Sequence, residues 1–178
     1  MPFEFERQNI NDVILIKPQI YGDIRGAFSE TYKKTEFTKN GINVEFVQDN
    51  LSKSKKHVLR GLHFQSEPYA QSKLIKCVHG CIWDIALDLR EGSDTHHKYI
   101  KVELSDQNGY MLFIPKGFAH GFVVLSETAT VLYKTDSEYA PNHEQGIHWK
   151  SLDWEINFEP ILSEKDTILP RLEGITEC

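Results

Sequence analysis

The amino-acid sequence predicts an all-β fold with minor helix, and a closed jelly roll is the favoured architecture. Short runs rich in β-branched and aromatic residues recur along the chain, and Gly, Pro, Asn or Asp ends most of them. These turns come roughly every 8 to 12 residues, which is typical of sandwiches and barrels. The 178 residues contain no internal repeat and no low-complexity linker, so we expect one domain over residues 1–178.

Eight predicted strands follow one another, each a run of apolar or alternating residues that stops at turn residues. They cover 13–16, 44–47, 74–78, 82–89, 99–104, 111–114, 121–125 and 130–134. A short helix is expected over 34–40, because Gly41 follows it and Gly is a common helix stop. A few helical turns are also expected near the C-terminus, where a segment of about 160–178 would pack on the barrel.

The charge and cysteine content exclude several classes of protein. The net charge is −6, which argues against a general nucleic-acid binder because phosphate neutralisation needs a basic surface. The first residues lack the pattern of a signal peptide, and no apolar run reaches the roughly 18 residues that span a membrane. Cys77, Cys81 and Cys178 are too sparse for a disulfide framework. We therefore expect a cytoplasmic protein without nucleic-acid or membrane partners.

The segment 58–65 is the most informative for chemistry, because it places Arg60 and His63 in an apolar, strand-like run. A guanidinium in such a run needs a partner, and an anion bound in a pocket would supply one. Taken alone, Arg60 is more often a surface residue at a strand end, and His63 is more often a satisfied structural histidine. The functional interpretation gains weight because other apolar runs are also interrupted by polar residues.

Acidic residues and a second histidine interrupt two of these runs. Asp84 and Asp88 share one face of the strand 82–89, since side chains alternate along a strand. A pocket and a half-exposed strand explain Asp84 equally well, whereas Asp88 lies nearer a turn and is better explained as structural. His120 stands where the turn 115–117 leads into the next strand.

Tyr133 and two amides form another candidate group. Tyr133 by itself is usually a core or interface residue, but a Tyr that faces a carbonyl substrate can donate a proton. Gln48 and Asn50 follow a predicted strand. Either turn chemistry or hydrogen bonding to a ligand explains amides at such a place.

The polar segment 21–30 contains a glycine turn, after which Phe28 and Glu30 are expected to share a strand face. Asp23 and Arg25 lie close together within it. Their default interpretation is an ion pair that stabilises the turn.

A metal site is not favoured by the histidine and cysteine pattern. Cys77, His79 and Cys81 would share one face of an extended strand, but Gly80 turns the chain and the usual Cys-x-x-Cys spacing is absent. A metal-dependent cupin would normally show His-x-His in its first motif. The corresponding stretch 63–65 has a single histidine.

Taken together, these segments resemble the dTDP-4-dehydrorhamnose 3,5-epimerase family from about Val13 to Leu169. The landmarks stand in family order at 22–26, 46–50, 59–65, 83–84, 114–122, 133–134 and 163–166. Each landmark alone is weak, but the ordered set is highly specific. The resemblance implies a cupin-type jelly-roll barrel without metal or cofactor, usually a homodimer whose N-terminal strands extend the partner's sheet. It also implies a dTDP-linked 4-keto-6-deoxy sugar as substrate.

The resemblance further implies a role for each site residue. His63 would be the base, oriented by Asp166, with Tyr133 as the acid on the opposite face of the sugar and Lys73 stabilising the enolate oxygen. Asp84 and His120 would support Lys73. The substrate-binding set would comprise Tyr21, Arg25, Glu30, Gln48, Asn50, Arg60, Asp84, His120, Tyr139 and Lys165, with Tyr21 and Tyr139 on either side of the thymine ring and Glu30 at its edge.

This assignment agrees with the chemistry that epimerisation needs. A proton next to a ketone is too weakly acidic for unaided removal by imidazole, so a cation such as Lys73 must stabilise the developing oxyanion. Removal on one face and return on the other require two groups, here His63 and Tyr133. A histidine suits the base role because its pKa lies near working pH.

Three alternatives remain at this point. A related enzyme could epimerise one carbon only, or act on a differently modified sugar. A metal-dependent cupin oxygenase or isomerase would contain stoichiometric metal. A non-catalytic module would bind the sugar nucleotide but would not exchange its hydrogens with solvent.

Overall fold

The computed structural model describes residues 2–178, which form two six-stranded sheets, a separate hairpin and two short α-helices. Sheet 1 contains, in spatial order, β1 (Phe3–Arg7), β2 (Ile14–Pro18), β10 (Met111–Ile114), β7 (Lys73–His79), β12 (Thr128–Thr135) and β5 (Gln48–Lys55). All neighbours in this sheet are antiparallel. The all-β prediction is confirmed.

Sheet 2 contains, in spatial order, β13 (Glu144–Gly146), β6 (Leu59–Gln65), β11 (Phe118–Val124), β8 (Cys81–Asp88), β9 (Lys98–Ser105) and β14 (Thr176–Glu177). Its pairs are antiparallel except for β14, which runs parallel to β9. The hairpin consists of β3 (Tyr21–Asp23) and β4 (Gly26–Phe28), which pair only with each other.

Two short helices and three apolar clusters complete the fold. Helix α1 (Lys34–Lys39) buries Phe37 against the outer face of sheet 1, and α2 (Glu164–Thr167) lies beside β6. The main cluster fills the interior with residues such as Ile75, Phe122 and Val131. A second cluster, which includes Phe37, covers the outer face of sheet 1. A third cluster, which includes Trp154, covers the outer face of sheet 2. Each sheet is therefore covered on both faces.

Seven of the eight predicted strands are present, six with shifted ends and the strand 111–114 with the predicted bounds. The helix over 34–40 corresponds to α1. The strand predicted over 44–47 is wrong, because those residues are irregular and the strand begins at Gln48. Val44 and Phe46 instead pack with the cluster on the outer face of sheet 1. Their apolar character reflects that packing and not a place in the sheet. Strand β1 was not anticipated.

Alternation along the strands explains where polar groups enter the interior. On β7, Lys73 shares a face with Ile75 and Cys77, which are core residues. On β11, His120 shares a face with Phe118 and Phe122. The inward-facing side chains of β7 are thus mostly apolar but include Lys73, and those of β11 are mostly apolar but include His120.

Gly61 and Gly121 allow β6 and β11 to approach closely. A Cβ atom at Gly61 would lie 2.6 Å from the Cα of Gly121 and 2.7 Å from the carbonyl oxygen of His120, and its φ is +118°. The register of the two strands shifts between His120 and Phe122, and His120 pairs with His63. The glycine contact therefore brings the two histidines opposite each other.

Gly61→Ala should destabilise the fold by about 3 kcal/mol, because the added methyl group clashes with backbone and an L side chain disfavours positive φ. Urea denaturation measures the change in unfolding free energy. Gly92→Ala is the control, since Gly92 has φ +78° but nothing within 4 Å of a new Cβ. It should cost about 1 kcal/mol. Equal losses in the two variants would show that the close approach is unimportant.

Candidate active site

A cavity of about 450 Å³ opens between the two sheets. Its wall includes side chains from β5, β6, β7, β11, β12 and β13 and from the segment 161–166. Eight of the residues expected at the site line it: Arg60, His63, Lys73, His120, Tyr133, Tyr139, Lys165 and Asp166. Residues distant in sequence therefore meet in one place.

His63 and Asp166 form a close pair on the cavity wall. The Nε2 atom of His63 lies 2.6 Å from Oδ1 of Asp166, which is 3% exposed. Burial opposes ionisation of this carboxyl group, but the contact with His63 and the hydrogen bond from the backbone N–H of Gly61 hold its pKa below the usual value. An ionised Asp166 can only accept a hydrogen bond, so Nε2 carries the hydrogen in the neutral imidazole and Nδ1 keeps a free lone pair.

The position of Asp166 depends on the start of helix α2. Ser163 is the N-cap residue, and its side chain accepts a hydrogen bond from the backbone N–H of Asp166. The backbone of Ile161 also accepts a hydrogen bond from the backbone N–H of Leu59, at the start of β6. The segment that carries Asp166 is thereby fixed to the strand that carries His63.

Lys73 enters the cavity from sheet 1 and is only 7% exposed. Its Nζ donates to the carbonyl oxygen of His63 at 3.3 Å. Burial lowers the pKa of Lys73 to about 8, although Asp84 and Glu144 favour its charged form. No carboxylate lies within ion-pair distance of this ammonium group in the part of the chain described.

His120 and Asp84 form a second buried pair. Nε2 of His120 lies 2.8 Å from Oδ1 of Asp84, and Asp84 is fully buried with no partner for its other oxygen among residues 2–178. Asp84 does not line the cavity but supports His120 from behind. Of the two explanations for Asp84, the half-exposed strand is therefore wrong. Asp88 is the last residue of β8, and its carboxylate forms an ion pair with Arg90 in the turn that follows. This contact agrees with the structural interpretation of Asp88.

Tyr133 faces the cavity from β12, directly opposite Asn50 on β5. Burial raises the pKa of Tyr133 above its usual value, and the nearby charge of Arg60 only partly opposes this. The phenol therefore keeps its proton at neutral pH. Nε of Arg60 donates to the hydroxyl of Ser54 at 3.0 Å, which holds the guanidinium at the cavity wall.

Glu144 is a cavity residue that the sequence did not reveal. The hydroxyl of Tyr139 donates to its Oε2 at 2.6 Å, and Lys165 forms an ion pair with the same oxygen. Burial raises the pKa of Glu144, but these two contacts outweigh it and leave the pKa lowered. No motif marks Glu144, because it lies on the three-residue strand β13. Its partner in the sheet, Gln65 of β6, lies 79 positions earlier in the sequence.

Several expected binding residues do not line the cavity of their own chain. Tyr21 lies on the hairpin, Arg25 pairs with Asp23 in its turn, and Glu30 follows it. Because β4 ends at Phe28, the shared strand face expected for Phe28 and Glu30 is wrong. Gln48 and Asn50 also lie outside the lining, but Gln48 accepts a hydrogen bond from the backbone N–H of Tyr139 at 2.9 Å.

The described part of the chain, residues 2–178, holds no group of three or more His, Cys, Asp or Glu side chains arranged to bind a metal ion. Within the same residues, neither α1 nor α2 is long and apolar enough to cross a membrane.

Comparison with known proteins identifies the family. The family model described as dTDP-4-dehydrorhamnose 3,5-epimerase matches residues 7–174. The chain belongs to the dTDP-4-dehydrorhamnose 3,5-epimerase family. One family member, from Pseudomonas aeruginosa, is 48% identical over 165 residues, which are 90% of this chain and 91% of the relative. The chain is thus of the isomerase class.

Solved structures of epimerases share the cupin-type fold. The dTDP-4-dehydrorhamnose 3,5-epimerase of Elizabethkingia anophelis superposes with a TM-score of 0.91 at 43% identity, covering 97% of both chains. The dTDP-6-deoxy-D-glucose-3,5-epimerase of Legionella pneumophila was solved in complex with dTDP-4-keto-L-rhamnose. It gives a TM-score of 0.90 at 39% identity, over 97% of this chain and 100% of that one. The expected cupin-type jelly roll is confirmed.

In this family member, buried Lys73 should lower stability at neutral pH. The pKa is 10.5 for an ordinary lysine and about 8 in the fold, so below pH 8 folding must bury an ammonium that the unfolded chain exposes. Stability from this group therefore rises as pH increases from 8 to 10.5. Lys73→Met should stabilise the free protein by about 3 kcal/mol at pH 7, and this gain should shrink toward pH 10.

Urea denaturation at several pH values measures this difference. Lys53→Met on β5 is the control, because Lys53 is exposed and its replacement should change little at any pH. A stability gain for Lys73→Met that stays constant between pH 7 and pH 10 would contradict the burial of its charge.

Proposed function

We propose that the chain epimerises dTDP-4-dehydro-6-deoxy-D-glucose at carbons 3 and 5, giving dTDP-4-dehydro-L-rhamnose. The observation that carries the proposal is the pair of His63 and Asp166 on a cavity wall that also holds Lys73 and Tyr133. The membership of the family supports the reaction type. The cavity combines a base, a cation and an acid, which are the groups that proton transfer next to a ketone requires.

His63 is the base in this proposal. Oδ1 of Asp166 accepts a hydrogen bond from Nε2–H of His63, with the two atoms 2.6 Å apart, so Nδ1 takes the proton from the carbon next to the ketone. The electron pair of the broken C–H bond then moves to the ketone oxygen as an enolate. The adjacent carboxylate stabilises the imidazolium that forms.

Lys73 stabilises the enolate oxygen. Its ammonium has no carboxylate within ion-pair distance in residues 2–178, so its charge is free to act on the substrate. In a site shielded from water such a charge is worth more than in solution. His120, held by Asp84, lines the same cavity and supplies a further hydrogen-bonding group.

Tyr133 returns a proton from the other side of the sugar. It belongs to sheet 1, whereas His63 belongs to sheet 2, so the two groups approach a bound ring from facing walls. The raised pKa of Tyr133 keeps it protonated until the enolate forms. Afterwards the imidazolium loses its proton to solvent and the phenolate gains one.

The remaining cavity residues bind the nucleotide diphosphate. Arg60 and Lys165 provide positive charge from the cavity lining. The amides of Gln48 and Asn50 lie outside that lining but close to it, since Asn50 is paired with Tyr133 and Gln48 donates to Asn50 at 2.8 Å. Tyr139 offers a ring that is 54% exposed, on which thymine can stack. Arg60, Lys73 and Lys165 outnumber the two carboxylates of the lining, Glu144 and Asp166, so the cavity can attract a small anion although the chain has a net charge of −6.

We also propose that the protein is a homodimer in which Tyr21, Arg25 and Glu30 complete the cavity of the partner. Their hairpin pairs with no other strand of its own chain and exposes apolar side chains, among them Ile24 and Phe28. Such a surface is typical of a protein interface. A second copy that covered the hairpin would bring these residues to a cavity they cannot line within one chain.

Incubation of the protein with the keto sugar nucleotide in heavy water tests the proposed reaction. Proton NMR should show deuterium at carbons 3 and 5, because both protons exchange through solvent-equilibrated groups. Deuterium at one carbon would indicate a single-site epimerase, and deuterium at neither would contradict the mechanism.

His63→Ala should slow exchange at both carbons by about 10²- to 10⁴-fold, since it removes the base. Tyr133→Phe should retain exchange through His63 but lose the protonation from the opposite face that inverts carbon 5. His96→Ala is the control because His96 lies in the polar turn before β9, outside the cavity. Unchanged exchange in folded His63→Ala would assign the base role to another residue.

Mixed dimers test the shared site. His63→Ala and Arg25→Ala should each be nearly inactive alone. Subunits reassorted at equal amounts should recover about a quarter of the wild-type activity, because half the dimers are mixed and each has one intact site. If Arg25 served its own subunit, mixing would restore nothing.

A further inference from the structure

The rim segment, residues 137–140, carries Tyr139 and has an unusual set of hydrogen bonds. Side chains of three glutamines, here named the glutamine clamp (Gln48, Gln65 and Gln71), bind a backbone group of each of its four residues. The contacts are Gln71 Nε2 to the carbonyl of Ser137 at 2.8 Å, Gln65 Nε2 to the carbonyl of Glu138 at 3.2 Å, the N–H of Tyr139 to Gln48 Oε1 at 2.9 Å, and the N–H of Ala140 to Gln65 Oε1 at 2.8 Å.

Gln65 is the central member of the clamp. It is 6% exposed, and its Nε2 also donates to the carbonyl of Tyr69 at 2.7 Å. All three contacts are to backbone, so the amide joins the rim segment to the loop that precedes β7. A primary amide offers two donors and an acceptor, which a carboxylate or an aliphatic side chain cannot reproduce here.

The clamp also connects the rim segment to the catalytic strand. Gln65 follows His63 by two positions on β6, so both side chains leave the same face of that strand. Tyr139 itself is half exposed, and its hydroxyl is held by Glu144. Side-chain hydrogen bonds therefore hold the backbone around Tyr139, from the three glutamines and from Thr135, whose Oγ1 also donates to the carbonyl of Ser137 at 2.9 Å.

We propose that Gln65 and Gln71 are positioning residues for nucleotide recognition, which act by fixing the backbone under Tyr139. This inference rests on the proposed function, in which thymine stacks on the Tyr139 ring. Stacking requires a ring held in one orientation before the ligand arrives, since ordering it on binding would weaken affinity. Gln65 and Gln71 line the cavity, but their side-chain amides are bound to backbone groups of the rim segment.

Gln65→Met tests the proposal, because Met has a similar length but no amide. The dissociation constant for dTDP, measured by calorimetry, should rise roughly fivefold to tenfold as neutral hydrogen bonds are lost. The kcat at saturating keto sugar nucleotide should stay within about twofold of wild type, since His63, Lys73 and Tyr133 are unchanged. Gln145→Met is the matched control, because Gln145 is exposed on the neighbouring strand β13 and should alter neither quantity.

A double-mutant cycle with Tyr139→Ala separates positioning from direct contact. Tyr139→Ala alone should weaken dTDP binding by removing the stacking ring. Adding Gln65→Met to it should change the dissociation constant by less than about twofold, since the residue through which Gln65 acts is gone. A full additional loss in that background would mean that Gln65 binds the nucleotide directly, and would overturn the proposal.

Two further results would also overturn it. One is a fall in kcat with unchanged dTDP affinity in Gln65→Met. The other is unchanged dTDP affinity in Tyr139→Ala, which would also remove the stacking role of Tyr139 from the proposed function. A loss of affinity that Gln65→Met still causes in the Tyr139→Ala background would overturn only the positioning role of Gln65. Thermal unfolding checks that the variants fold. If Gln65→Met does not fold, Gln71→Met, which loses one bond, should raise the dissociation constant roughly threefold, and only when Tyr139 is present.

Discussion

The burial of charge inside an apolar barrel is the constraint on which the site depends. Strand alternation turns Lys73 of β7 and His120 of β11 into the space between the sheets, where an unpaired charge is costly. Asp166 meets His63, and Asp84 meets His120. Lys73 has only the carbonyl oxygen of His63 among its hydrogen-bond partners in the described residues, so it is the charge left free for a ligand.

The fold could be predicted from local pattern wherever a run of apolar or alternating residues ends at turn residues. The alternating run that became β9 and the apolar run that became β7 were recognised for this reason. The pattern failed at 44–47 because apolar residues that cover a sheet look like residues within it. It also gave no reason for the pairing of β14 with β9, which joins residues far apart in sequence.

The site was predictable only in part, because proximity is a property of the fold. Resemblance to a family pointed to His63 with Asp166, and no spacing rule connects residues 103 positions apart that the folded chain brings to 2.6 Å. Glu144 was missed because it lies in no motif, although it binds both Tyr139 and Lys165. The family resemblance implies that Tyr21, Arg25 and Glu30 bind the substrate, but within one chain these residues lie outside the cavity lining.

The exposed hairpin has a consequence for how the protein is made. Ile24 at its tip is fully exposed, and Phe28 adds a second apolar surface nearby. A newly synthesised chain exposes this apolar surface until another molecule covers it. In the proposed homodimer, early pairing of nascent chains on one messenger would cover this surface, whereas an unpaired chain would leave it open to aggregation.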